Sequence, residues 1–141
     1  EYWPNHSCCR MLCNTEWLAD EHNQEAIYRM LRAYLRAEEY MQNNYDEVVD
    51  LVVENLDLDQ ATVESFVKSP HMKYDTDPFK NSVIKMWNKM GDFDYIPDST
   101  INIEDHINID IYEKALNSLI EEYPDSQFFK DKQAQFEENN Y

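Results

Sequence analysis

The chain has 141 residues, with 12 basic and 29 acidic side chains and a formal charge of -17. Such acidity repels nucleic-acid backbones and anionic lipid, and it reads first as a solubility device. Hydrophobic residues at 43% and aromatics at 13% exclude disorder, while a single glycine leaves little for tight β-turns or a phosphate-cradling loop.

Helix is therefore the default, and the expected fold is mostly α with one or two short strands. No apolar run reaches the length of a membrane span, so direct membrane insertion of this chain is not expected. The opening Glu1-Tyr2-Trp3-Pro4 is neither a leader nor a capped element, and it reads as the start of a fragment or a processed chain. A single domain or fragment is expected, in three stretches. Residues 1–14 form a strand segment, 15–123 a helical part, and 124–141 a C-terminal helix or tail.

Cys8 to Asn14 is apolar-rich and bounded by turn residues, which predicts a short buried strand. Glu16 to Asp20 is a turn or one helical turn. Asn23 is the expected cap of a long helix whose stripe is Ile27, Met30, Leu31, Tyr34, Ala37 and Met41. Arg32 and Glu38 fall on its opposite face, and it ends near Asn43-Asn44. Asp46–Asn55 is expected as a second helix with a valine stripe. Asp59 caps a third that buries Val63, Phe66 and Val67, and Ser69-Pro70 stops it. Asp77-Pro78 reads as a capped start for a helix carrying Phe79, Val83, Trp87 and Met90. Gly91 stands where a left-handed C-cap needs glycine. Asp92 to Asn108 is an irregular acidic connection. Asp110 with Glu113 resembles a capping box for a helix to Tyr123-Pro124, and Ser126–Glu138 forms a last helix.

The chemistry concentrates near the start. All three cysteines, Cys8, Cys9 and Cys13, lie within one segment beside His6 and Arg10. In a strand, His6, Cys8 and Arg10 share one face, and Cys9 and Cys13 the other. Cys9 and Cys13 would then lie roughly 13 Å apart at ~3.3 Å per residue, too far to share an ion whose bonds to sulfur are about 2.3 Å. They read as small buried hydrophobes. His6 with Cys8 offers two metal ligands, for zinc or iron, and a closed site needs more. No cofactor is otherwise implied. Arg10 presents a rigid fork suited to carboxylate, sulfonate, nitrate or phosphate, or else pairs with one of the many carboxylates. Trp3 could stack on a planar ligand or cover the strand end. His22, His71 and His106 are isolated and flank helices. Asp92, Asp94, Asp98, Glu104 and Asp105 lack EF-hand spacing and read as a solvated loop.

Three pieces together resemble the C-terminal part of type II solute-binding proteins of the nitrate/sulfonate/taurine transporter family. They are Cys8-Cys9-Arg10 with Asn14-Thr15-Glu16-Trp17-Leu18, then Asn23-Gln24-Glu25-Ala26 through Ala37, then Gly91-Asp92-Phe93-Asp94 with Ile109 to Leu116. The resemblance runs from about His6 to Leu119. It implies the C-terminal portion of an α/β fold of two lobes around a ligand cleft. It further implies an extracytoplasmic protein, periplasmic or lipid-anchored as a lipoprotein. Such a protein captures a small anionic or heterocyclic solute for an ABC importer and delivers it to the permease's transmembrane subunits. Ligand contacts would come from Trp3, His6, Cys8 and Arg10. The related thiamine-pyrimidine precursor synthases carry a denser, iron-associated cysteine run; here Arg10 stands where a third consecutive cysteine would fall, which weakens an enzyme reading. A metal-dependent enzyme of that kind and a helical interaction module are the alternatives.

Overall fold

The computed structural model describes residues 9–71, 73–96 and 100–141. It is mostly helical, with no strand among the described residues. The helices are α1 (Thr15–Leu18), α2 (Glu21–Asn43), α3 (Tyr45–Leu56), α4 (Gln60–Val67), α5 (Lys80–Asp92), α6 (Asp110–Glu122) and α7 (Gln127–Asn140), with a 3-10 turn at Ile103–His106. Two compact units divide the chain, one of Glu1–Arg32 with Asp77–Tyr141 and the other of Ala33–Thr76.

The expected strand is not formed. Residues 9–14 are irregular, and Met11, Leu12, Cys9 and Cys13 are exposed, Leu12 by 91%. A strand needs a neighbour to take its backbone hydrogen bonds, and none of the described residues supplies one. The cysteines are therefore not the small buried hydrophobes expected.

In the first unit the core is built on α6 and α7. Tyr112, Ala115, Leu116 and Leu119 recur every three to four residues and bury one face of α6. From α7, Phe129 and Phe136, two turns apart, are essentially fully buried. Their rings engage Tyr123 and Tyr112 at centroid separations of 5.9 and 5.5 Å. Such pairs add roughly 0.5–1.5 kcal/mol beyond area burial. The C-terminal stretch is thus a core helix and not a tail. Ser126 caps it by accepting from the Phe129 N–H at 3.4 Å. The Asp110–Glu113 box is not made: Asn108 accepts the Ile111 N–H at 3.3 Å, and Glu113 accepts from the Tyr141 hydroxyl at 3.1 Å.

α2 also begins earlier than expected. Asp20 accepts the His22 N–H at 2.8 Å, and Asn23 sits inside the helix, donating to the Trp17 carbonyl at 2.8 Å. α5 begins later, at Lys80, behind Phe79 in a left-handed conformation with φ 51°. Gly91 lies within α5 and has no positive φ; Asp94 takes the left-handed role instead. A Cβ added at Gly91 would meet nothing within 4 Å.

In the second unit, Val49, Val63 and Val67 are buried, with Val48, Val52, Val53 and Phe66 packed on them. Asp57, at φ 51°, ends α3, and Asp59 caps α4 by accepting from the Thr62 N–H at 2.9 Å and its hydroxyl at 2.6 Å. Here α2 buries Leu35 and Glu38, while Tyr34 and Ala37 of the expected stripe are exposed. The Glu38 carboxylate accepts from the Thr76 N–H at 2.9 Å and hydroxyl at 2.7 Å, so its burial is matched by hydrogen bonds. Lys68, past the end of α4, reaches Asp46 at 2.6 Å. The hydrogen bond to Lys68 and its charge hold the Asp46 carboxyl below its ordinary value, and the same hydrogen bond raises Lys68.

Two outcomes are expected. Gly91→Ala raises stability to urea by about 0.5–1 kcal/mol, because a helical residue with open space gains from losing glycine's backbone freedom. Asp46→Asn lowers it slightly at neutral pH. The Asp46 contribution is present above the unfolded carboxylate value near ~4 and fades as pH falls through the lowered folded value. The Lys68 contribution is present below about 10.4 and fades as pH rises through its raised folded value. Urea midpoints of both proteins, taken across pH and salt, should therefore converge in acid and in high salt.

Candidate functional site

Asp77 organises the start of α5. It is 1% exposed, yet it lies one residue from Pro78, which cannot donate a backbone hydrogen bond. Its Oδ1 accepts from the Phe79 N–H at 2.7 Å and from Asn140 Nδ2 at 2.9 Å; its Oδ2 accepts from Asn139 at 3.3 Å. Asn140 Oδ1 in turn accepts the Lys80 N–H at 2.9 Å, and its Nδ2 also donates to the Phe136 carbonyl at 2.8 Å. A side chain from the last turn of α7 thereby caps the first turn of α5.

The same bonds hold Phe79 left-handed, a state that costs a residue with a Cβ roughly 1–2 kcal/mol. The strain has a consequence: the Phe79 ring meets the half-buried Arg10, whose guanidinium carbon lies 5.2 Å from the ring centroid. Arg10 Nη1 donates to the Cys9 carbonyl at 2.6 Å. Cation–π contact itself uses none of the five guanidinium donors, so a ring can orient the fork without occupying it. Lys80 follows Phe79 and reaches Glu104 at 4.0 Å. The site therefore combines an oriented guanidinium, a lysine and the positive end of α5.

Of the residues expected to bind ligand, Arg10 alone falls within the described structure. Trp3, His6 and Cys8 lie outside the described residues, and with them both expected metal ligands. No group of three His, Cys, Asp or Glu able to hold a metal is found among the described residues. His22, His71 and His106 are exposed. In the acidic connection, Asp92 pairs with Lys89 at 2.7 Å and Glu104 with Lys80; Asp98 lies outside the described residues. Phe79 was legible only as a core aromatic. The signal that gives it a site role is its positive φ, which sequence does not carry.

A second cationic cluster is structural. Arg32 donates to the Ser118 hydroxyl and to Glu122, tying α2 to α6, and its guanidinium carbon lies 5.7 Å from the Tyr28 ring centroid. Lys114 Nζ lies 4.9 Å from the same centroid. Burial pulls the Arg32 value down, but hydrogen bonds to Glu122 and Tyr28 outweigh it and raise the group. The sequence assigned Arg32 to the outer face of α2, because a side chain that pairs across 86 residues has no local signature.

Phe79→Gly should separate the two tasks of Phe79. Relief of the left-handed strain offsets part of the lost packing, so urea stability changes by less than about 1 kcal/mol. Tryptic cleavage after Arg10 accelerates at the same time, because the ring no longer holds it; a time course by mass spectrometry reads this directly. No family model matches the chain, and no curated protein or solved structure matches it.

Proposed function

We propose that the chain is the C-terminal portion of an extracytoplasmic, type II solute-binding protein with two α/β lobes. It would capture a small anionic or heterocyclic solute for an ABC importer and pass it to the permease. The observation that carries this reading is Arg10, whose guanidinium is oriented by the Phe79 ring at the start of α5. A planar fork held in place is suited to a carboxylate, sulfonate or nitrate group. Trp3, His6 and Cys8 would line the same cleft.

The order of elements gives further support. The stretch from Asn23 to Ala37 lies within one helix, α2. α3 and α4 follow, then the turn after Gly91 and the helix carrying Leu116. In the two-lobed fold, Cys8–Asn14 would join a sheet whose other strands come from elsewhere in the protein. A strand lacking those partners is not formed, and residues 9–14 are irregular here.

Native mass spectrometry of the purified chain, set against its denatured mass, tests the reading. The expected result is a small molecule lost on denaturation and missing from Arg10→Ala. A stoichiometric zinc or iron lost on Cys8→Ala would replace it with the metal-dependent, synthase-like alternative. A bare native mass would leave the helical interaction module as the better account.

A further inference from the structure

We propose that the α3–α4 pair presents a docking surface for a basic amphipathic helix of a partner protein. The surface shares no residue with the proposed solute site. From Asp46 to Glu64 the chain carries seven carboxylates and neither lysine nor arginine. Asp46 and Glu64 are engaged by Lys68, and Asp59 by Thr62. Asp50, Glu54 and Asp57 are exposed and have no partner among the described residues.

Three leucines interleave with these acids. Leu51, Leu56 and Leu58 are 47%, 61% and 39% exposed. Single exposed leucines are ordinary; here three fall within eight residues, from the middle of α3 to just past its end. The core of this unit is made by Val49, Val63 and Val67 with Val48, Val52, Val53 and Phe66 packed on it, a set that does not include Leu51. Leu51 lies between Glu47, four residues earlier, and Glu54, three later, on one face of the helix. Of the other two neighbour positions, Val48 packs on the core, and the Asn55 side chain is turned back to the Leu51 carbonyl at 2.7 Å.

Charge decides the occupant. An acidic helix, nucleic acid or anionic bilayer would meet the unpaired carboxylates with like charge. A helix with a leucine-like stripe flanked by lysine or arginine meets both components at once. Its stripe covers the leucines, and its cations pair with Asp50, Glu54 and Asp57.

The test uses the full chain, isotope-labelled for amide NMR, titrated with a helical peptide of about 18 leucine and lysine residues in amphipathic register. Amide shifts are expected to concentrate between residues 45 and 59. A scrambled peptide of equal charge should bind about tenfold more weakly. Leu51→Ser with Leu58→Ser should weaken binding by a similar factor, and Asp50→Asn with Glu54→Gln should flatten its salt dependence. All four side chains are exposed, and a circular dichroism spectrum confirms that the variants keep the fold. Equal binding of the scrambled peptide, or shifts spread over other acidic segments, would reduce the effect to counter-ion attraction and overturn the proposal. So would self-association of the free chain that the leucine variants abolish, since the occupant would then be a second copy.

Discussion

The Asp77 carboxylate is the constraint on which much of the first unit depends. Taking an ionised carboxylate out of water costs several kcal/mol unless the interior returns its hydrogen bonds. Here one oxygen receives the Phe79 N–H and Asn140, and the other receives Asn139. Those partners come from the segment just ahead of α5 and from the last turn of α7, so the carboxylate fixes each with respect to the other. Phe79, whose N–H this carboxylate accepts, takes the left-handed conformation at the same junction. Arg10 then depends on Phe79 for the aromatic face it stacks on. One buried acid thus sets a cap, a strained residue and the position of a cation at the far end of the sequence.

This dependence explains what could and could not be read from the chain. Asp59 and Ser126 each cap a helix through the N–H three residues downstream, and the local pattern predicted the Asp59 cap and a helix opening at Ser126. Asp77-Pro78 carries the same pattern, yet its carboxylate is drawn to Asn140, 63 positions away, and the helix starts late. Gly91 shows the reverse error: the sole glycine invites a turn, but Asp94 tolerates the left-handed conformation and leaves Gly91 helical. In α2, both Met30-Tyr34-Ala37-Met41 and Ile27-Leu31-Leu35 fit a helical period. Periodicity gives the helix but cannot select the face, and Glu38 reads as outer because Thr76, its partner, is distant. The strand at Cys8–Asn14 failed for a related reason: alternation describes a side-chain pattern, whereas a strand exists through its neighbours. Of the candidate site, the identity of Arg10 was legible and its aromatic support was not.

On total charge, the proposed anionic solute is a poor match for a chain of charge -17. The two scales of electrostatics resolve this. At physiological ionic strength, exposed charges are screened beyond about 8 Å, so the distant acids weaken capture only modestly. Affinity is set by what lies within that distance. Around Phe79 the near groups are Arg10, Lys80 and the start of α5, whose first N–H is capped by Asn140, against Glu104, which is 56% exposed and at the limit of ion-pair distance from Lys80. Asp77 is close too, but its charge is already matched by three donors that point at it. The local balance at the start of α5, two cations against two carboxylates of which Asp77 is hydrogen-bonded inward, is therefore far less negative than the balance of the chain. That local relief is what the proposed anion contact on an acidic protein would require: the surface at large stays unattractive to phosphate polymers and lipids, while a guanidinium set on an aromatic ring would be the group to meet a small oxyanion.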